Sequence, residues 1–479
     1  MPQRTRIEHD LLGPREVASN AYYGIHTLRA VENFPISGTP ISAYPDLINA
    51  LAAVKKAAAL ANHSLVLIHD ERARAIVTAC NEIRSGALHD QFVVDVIQGG
   101  AGTSTNMNAN EVIANRGLEI MGHRRGEYEF LHPNEHVNMS QSTNDVVPTA
   151  MKVAAWVGIH RLIEAMESLR QGFEKKAQEF KGVLKVGRTQ LQDAVPMTLG
   201  QEFSTYAVML GEDVQRLREV VRLLCEINLG ATAVGTGITA HPEYAAKVCR
   251  HLTQITGIPF VTAPNLVEAT QDAGVFVQLS GMLKRIAVKL SKVCNDLRLL
   301  ASGPRAGFGE INLPPVQAGS SIMPGKVNPV IPEVVNQIAF EVIGNDVTVS
   351  FAAEAGQLQL NAFLPILAHS IFKSVKHLRN GCLTLADRCV KGITANRERL
   401  QEVMDRSIAI VTALNPYIGY ERVTAIAQEA LSSGRTVRAI VLEKKLLTPE
   451  QLADVLKPES LTRPAAPKSL PDWPKQRAA

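Results

Sequence analysis

An apolar stripe at helical spacing limits the folds that this chain can adopt. Its side chains recur at alternating steps of four and three residues: Leu279, Leu283, Ile286, Leu290, Val293, Leu297 and Leu300. This period is typical of a heptad seam, along which one helix packs against another. Two similar stripes precede it: Phe203, Ala207, Leu210, Val214, Leu217, Val221 and Leu224, and Leu162, Met166, Leu169, Phe173, Ala177 and Phe180. Long, regular helices of this kind predict a helical bundle and a mainly α fold.

The composition agrees with packed helices, since 46% of the 479 residues are hydrophobic and only 5% are aromatic. A chain of this length is expected to form about two or three domains. We expect a mixed, mostly helical N-terminal domain over residues 1–141 and a central helical bundle over residues 142–395. A small C-terminal helical domain, residues 396–479, should contain a helical hairpin around residues 420–443. Its Pro-rich tail, from Pro458 onwards, should be poorly ordered.

Charge and hydropathy exclude several classes of protein. The formal net charge is +4 and there is no basic run, so neither a nucleic acid nor a membrane surface is expected as a partner. The N-terminus has no signal-peptide pattern, and no window reaches the ~18 consecutive apolar residues of a membrane span. The six cysteines form no CxxC pair, which favours reduced, buried thiols. We therefore expect a cytoplasmic protein, and the wide apolar stripes predict an oligomer.

Four polar, Gly-rich stretches interrupt the helical pattern, and each is expected next to a helix start. They cover residues 99–110, 137–145, 187–193 and 319–329. Hydroxyl groups and the N–H groups of a helix N-terminus together bind anions, so two such stretches close together would hold a dicarboxylate. For any single stretch, a helix cap or a turn is the simpler alternative. The presence of all four favours a ligand site.

The fourth stretch superficially matches a phosphate-binding P-loop. From Gly319 to Gly325, however, five residues lie between the glycines instead of four. In addition, Val327 follows Lys326 where the P-loop requires Ser or Thr. We therefore do not expect this stretch to act as a P-loop.

Residues 132–136 spell H-x-x-E-H, a zinc-protease pattern that works only on a continuous helix. Pro133 and Asn134 predict a turn here instead. We therefore expect no catalytic metal. No ligand cluster in the sequence marks a separate site for an activating divalent metal, although that possibility is left open.

The fourth stretch carries the clearest resemblance to a known family. The signature S-S-x-x-P-x-K-x-N of the aspartase/fumarase superfamily is matched by Ser320, Ser321, Pro324, Lys326 and Asn328. The resemblance is specific and extends over nearly the whole chain. Within the superfamily, the sequence is similar to the aspartase forms at residues 98–104, 136–145, 229–237 and 326–336.

The resemblance implies a three-domain, mainly α-helical fold with a central five-helix bundle. It also implies a homotetramer in which each active site is assembled from segments of three chains. The implied reaction is the reversible elimination of ammonia from L-aspartate to give fumarate, with no organic cofactor. The base removes a proton from C3, and the charge moves into the neighbouring carboxylate to form an aci-carboxylate dianion.

The resemblance also implies a role for each matching residue. Ser320 is the expected base, on a loop that closes over the substrate. The donors to the dianion are expected to be Thr103, Ser142, Thr143 and the backbone N–H of Ser321. The other carboxylate should be held by Lys326 with help from Asn328. The amino group should be held by Asn144 and Thr189.

Gln190 departs from the pattern of many relatives, which have His at this position. An amide does not transfer protons, and class II fumarases are thought to use that His together with a Glu, which is Glu333 here. Gln190, expected to bind the amino group or a carboxylate, therefore favours an ammonia-lyase. The alternatives are a class II fumarase and a non-catalytic structural protein, although the second predicts damage to signature positions that are intact here.

Overall fold

Residues 4–463 are described by a computed structural model of the chain. Most of them lie in helices, which confirms the predicted mainly α fold. The described chain divides into two compact units. Among residues 4–463, the first comprises residues 4–165, Asp213–Val288 and Gln337–Asn380, and the second comprises Met166–Glu212, Lys289–Asn336 and residues 381–463.

The N-terminal part of the first unit begins with an antiparallel hairpin of β1 (Thr5–Asp10) and β2 (Gly13–Ala18). The helices that follow are α1 (Ile25–Asn33), α2 (Pro45–Ser64), α3 (Asp70–Arg84) and α4 (Thr103–Ile120). Pro45 stands in the first turn of α2, where its missing N–H costs nothing. Alanines fill much of α2, so neighbouring helices approach it closely around a common core.

Five helices of 23 to 37 residues follow, separated by short elements. In chain order, this part contains α5 (Thr143–Glu179), β3 (Leu184–Thr189), β4 (Gln192–Thr198), α6 (Leu199–Val221), β5 (Glu226–Ile227), α7 (Tyr244–Thr256), β6 (Val261–Thr262), α8 (Leu266–Gln271), α9 (Gly274–Leu300), β7 (Ile311–Asn312), α10 (Val330–Glu354) and α11 (Leu364–Arg388). The five long helices are α5, α6, α9, α10 and α11. The β3–β4 pair is antiparallel, and the β5–β6 pair is parallel.

The three predicted stripes lie on these long helices, except that Phe180 follows the end of α5 and Leu224 follows the end of α6. All seven stripe residues of α9 are buried, as the heptad period predicts. In the first unit, Lys284 of α9 pairs with Asp346 of α10 at 2.5 Å. In the second unit, the ring of Phe173 in α5 packs edge-on against Tyr206 of α6, with 5.4 Å between the ring centroids. The contact of Phe173 with Tyr206 places the α5 stripe at a seam between two long helices.

Helix α5 is long and apolar enough, by length and composition alone, to span a membrane. Its most apolar window has a mean hydropathy of 1.2, and 72% of that window is buried inside the structure. Burial of this kind is typical of a core helix, so the length and hydropathy of α5 are only weak evidence for a membrane-spanning segment.

The C-terminal part begins with β8 (Thr394–Ala395), which pairs with β7. The remaining helices are α12 (Arg397–Arg406), α13 (Val411–Ile418), α14 (Tyr420–Ser433), α15 (Val437–Glu443), α16 (Pro449–Val455) and α17 (Pro458–Leu461). Helices α14 and α15 lie where the helical hairpin was predicted. The predicted tail begins with the short helix α17, and residues 464–479 lie outside the described residues.

Candidate active site

Two helix N-termini that carry predicted donors lie side by side in the first unit. Thr103 is the first residue of α4 and follows Gly102, whose φ is +90°. A Cβ at Gly102 would lie 2.9 Å from Cγ1 of Val147 in α5, so this close approach requires glycine. The side-chain amide of Asn106 donates to Oγ1 of Thr143 at 3.2 Å. The first and second polar stretches therefore meet, as an anion site at two helix starts requires.

Ser142 caps α5, which is the simpler alternative that the sequence left open. The N–H of Ser142 donates to Oδ1 of Asp145 at 3.0 Å, and the N–H of Asn144 donates to Oγ of Ser142 at 3.2 Å. A hydroxyl that accepts in this way still has its proton to donate, so capping and ligand binding are compatible. The side-chain amide of Asn144 donates to the backbone oxygen of Ala233 at 2.6 Å, which fixes its orientation.

A buried lysine, to which the sequence assigned no role, supports this turn from behind. Lys55 of α2 is fully buried and donates to Oδ1 of Asn138 at 2.8 Å and to Oε1 of Gln141 at 2.9 Å. Burial lowers the pKa of Lys55 to about 7. Lys55 stands beside Lys56 in an alanine-rich helix, so the sequence alone did not distinguish it from a solvated lysine.

Asp145 ties the same turn to a second segment. Its Oδ2 accepts the N–H groups of Gly230 at 3.1 Å and Thr232 at 3.0 Å. Burial raises the pKa of Asp145 to about 6, although the backbone N–H donors oppose that shift. The carboxylate therefore holds residues 229–232 against the start of α5, a role that was not assigned from the sequence.

The third stretch differs from the prediction, because it does not lie next to a helix start. It forms the tight turn between β3 and β4, and α6 begins only at Leu199. Gln190 and Leu191 have φ angles of +54° and +61°, as in a two-residue hairpin turn with both central residues left-handed. Thr189 and Gln190 are exposed at the tip. The two paired strands, and not a helix start, therefore position this tip.

The fourth stretch forms a loop whose two ends are tied together before α10. The N–H of Gly319 donates to the backbone oxygen of Lys326 at 2.8 Å, and the side-chain amide of Asn328 donates to the oxygen of Gly319 at 2.7 Å. A Cβ at Gly319 would lie 2.6 Å from the Lys326 oxygen, so this crossing requires glycine. Asn328, expected to help Lys326, thus closes the loop in this structure.

Ser320 lies just inside this tied end and is half-buried. Its Oγ accepts the N–H groups of Met323 at 2.9 Å and Ile322 at 3.2 Å. Two N–H donors on one hydroxyl oxygen favour its deprotonated form, which a serine needs in order to act as a base. Ser321 and Lys326 are exposed on the same loop.

The predicted residues thus form two sets. The first unit holds Thr103, Ser142, Thr143 and Asn144 at neighbouring helix starts. The second unit holds Thr189 and Gln190 on a hairpin tip, and Ser320, Ser321, Lys326 and Asn328 on or beside the tied loop.

The H-x-x-E-H pattern does not form a continuous α-helix. Residues Pro133–Val137 form one π-helical turn. Nδ1 of His132 accepts the N–H of Asn134 at 3.1 Å, and the N–H of His132 donates to Nδ1 of His136 at 2.8 Å. Among residues 4–463, no group of three or more His, Cys, Asp or Glu side chains is arranged to hold a metal ion.

Comparison with known proteins identifies the family of the chain. A family model described as Lyase matches residues 13–344, and one described as Fumarase C C-terminus matches residues 410–463. Aspartate ammonia-lyase of Helicobacter pylori is 58% identical over 467 residues, which cover 98% of this chain and 100% of the relative.

Two solved structures extend the likeness to the fold. A fumarate lyase:delta crystallin from Brucella melitensis, solved bound to cobalt, has a TM-score of 0.94 and 55% identity, covering 96% of this chain and 100% of its own. A class II fumarase from Schistosoma mansoni has a TM-score of 0.89 and 35% identity, covering 95% of this chain and 98% of its own. The chain therefore belongs to the aspartase/fumarase superfamily, as one of its carbon–nitrogen lyases.

Proposed function

We propose that this protein catalyses the reversible elimination of ammonia from L-aspartate to give fumarate, with Ser320 as the base. The observation that carries the proposal is the pair of backbone N–H groups donated to Ser320 Oγ on a tied loop beside Lys326. The substrate is inferred from the Helicobacter pylori relative, which is an aspartate ammonia-lyase.

The reaction begins when Ser320 removes a proton from C3 of the substrate. The negative charge then moves into the adjacent carboxylate, and the resulting dianion must be stabilised more strongly than the substrate itself. Thr103, Ser142, Thr143 and the N–H of Ser321 donate to it, and one such preorganised donor contributes roughly 3–4 kcal/mol. Expulsion of ammonia from C2 completes the double bond of fumarate.

The other substrate groups determine its orientation. Lys326 binds the second carboxylate. Asn328 ties the loop to Gly319 and so keeps the ammonium group of Lys326 in place. Asn144 and Thr189 bind the amino group, and Gln190 binds either that group or a carboxylate. These steps require no organic cofactor.

A class II fumarase is the alternative activity, and Gln190 argues against it. Adding or expelling water requires a proton-transferring group, whereas ammonia leaves with less acid assistance. Identity to the Schistosoma mansoni fumarase is 35%, against 58% for the aspartate ammonia-lyase. Both observations favour the amino acid as substrate.

We also propose that the protein is a cytoplasmic homotetramer in which each site is shared between chains and each chain has the three predicted domains. Support for oligomerisation comes from α10, where Phe340, Val347 and Phe351 are 61%, 51% and 70% exposed. Their spacing of seven and four residues puts them on one helix face. Such an apolar face on a long helix is best explained by burial against another chain.

The direct test of the activity is to add purified protein to L-aspartate and follow fumarate by its ultraviolet absorbance. We expect turnover of L-aspartate and none of D-aspartate or L-malate. Asn144 and Thr189 bind an amino group on C2, and Ser320 takes the proton on C3 in only one configuration of the substrate. Malate turnover comparable to that of aspartate would favour a fumarase instead.

Substitution Ser320→Ala should lower kcat by about 100-fold or more, because it removes the base, while a competitive inhibitor still binds. The matched control is Ser204→Ala on α6, where the hydroxyl only donates to the backbone oxygen of Gln201. Stopped assays and inhibitor titration measure the two quantities. A Ser320→Ala variant that retains a tenth of kcat would show that another group takes the proton.

Mixed oligomers test the sharing of sites. Thr143→Ala and Ser320→Ala should each be inactive, but subunit exchange should restore about a quarter of the sites, because each segment is then drawn independently from an intact or a mutant chain. Ser142→Ala mixed with Thr143→Ala is the control: both lesions lie in one segment, so activity should not return. No recovery in the first mixture, when exchanged wild-type protein recovers fully, would contradict shared sites.

A further inference from the structure

A group of four charges, two of them fully or almost fully buried, lies behind the hairpin tip in the second unit. We call this group the Glu310 cluster; its members are Lys185, Arg188, Glu202 and Glu310. Lys185 Nζ lies 3.0 Å from Glu310 Oε2 and 2.5 Å from Glu202 Oε2, and Arg188 Nη1 lies 2.5 Å from Glu310 Oε1. The Glu310 side chain is fully buried, and that of Lys185 is 3% exposed. Two positive and two negative charges balance the cluster.

The backbone of Glu310 is fixed independently of these ion pairs. Its N–H donates to the oxygen of Leu300 at the end of α9 at 2.9 Å, and its oxygen accepts the N–H of Asn396 at 2.9 Å. The carboxylate therefore projects from a rigid part of the second unit. A buried carboxylate is stable only while its partners hold it, so the cluster constrains the groups that contact it.

Arg188 transmits this constraint to the hairpin tip. Its guanidinium lies over the ring of Phe308, 4.3 Å from the ring centroid, while it contacts Glu310. Thr189 follows immediately, and the next two residues have positive φ. A tip with such uncommon backbone angles persists only where its surroundings fix it. Arg188, held on two sides, is the last fixed side chain before the tip.

We propose that Glu310 is a positioning residue: through Arg188 it fixes the hairpin tip that presents Thr189 and Gln190 to the substrate. This inference rests on the proposed function, because it concerns how those two residues bind L-aspartate. Glu310 itself is buried behind the tip and acts on the substrate only through Arg188.

Two isosteric substitutions separate positioning from a general loss of charge. Glu310→Gln and Glu202→Gln each remove one negative charge from the cluster, but only Glu310 contacts Arg188. We expect Glu310→Gln to raise the KM for L-aspartate about tenfold with a much smaller change in kcat, as for the loss of a contact that binds the ground state and the transition state equally. Glu202→Gln should leave KM close to that of the wild type.

Hydrogen exchange measures the tip without requiring activity. Amides of residues 187–193, followed by mass spectrometry on the full-length protein, should exchange faster in Glu310→Gln than in Glu202→Gln or the wild type. Equal exchange and equal KM in the two variants would overturn the proposal. If the wild type lacks aspartate lyase activity, the proposed function fails, and the exchange comparison alone decides whether Glu310 holds the tip.

Arg188→Lys covers the case in which Glu310→Gln does not fold. It keeps the positive charge beside Glu310 but loses the planar group that lies over Phe308. We expect the same rise in KM and faster exchange over residues 187–193. Wild-type values of both in a folded Arg188→Lys protein would contradict transmission through this side chain.

Discussion

Burial of the apolar stripes on the long helices is the constraint on which the other features depend. Each stripe residue of α9 is nearly inaccessible, and burying one leucine or isoleucine fully contributes about 1.5–3 kcal/mol. Rotating such a helix by one residue would move its stripe away from the neighbouring helices. The packing therefore fixes the rotation of each long helix about its axis, and the polar stretches directly before α5 and α10 are held in place by those helices.

In the first unit, neutral donors at two helix starts are combined with buried charges behind them. Hydroxyls and backbone N–H groups lie at the starts of α4 and α5, where Thr103, Ser142 and Thr143 are half-buried. Lys55 and Asp145, both buried, hold the turn from which those donors project. In the second unit, the Glu310 cluster lies behind the hairpin tip, as Lys55 and Asp145 lie behind the turn before α5 in the first unit. Fixed dipoles of this kind need little reorganisation when charge develops in the substrate, which is the property that an elimination through a dianion requires.

The sequence predicted the features that depend on periodicity and on local motifs. The heptad stripe identified α9 as a packed helix, and the Ser320–Asn328 signature located the loop that begins at Gly319. The β3–β4 hairpin was missed, because a short polar turn between strands resembles a helix cap when only residue types are considered. The roles of Lys55 and Glu310 were not predictable either. Whether a charged side chain is solvated or buried depends on which distant segments pack over it, and the sequence alone does not state those contacts.

The assignment of Ser320 as the base is tested most directly by a structure of the Ser320→Ala variant, in its native assembly, with L-aspartate bound. We expect C3 of the substrate to face residue 320, so that the hydroxyl of a serine at that position would lie about 3 Å from C3. We also expect the adjacent carboxylate to accept hydrogen bonds from Thr103, Ser142 and Thr143, and Lys326 to bind the other carboxylate. A substrate whose C3 faces away from residue 320 and towards another basic side chain would contradict the assignment of Ser320 as the base.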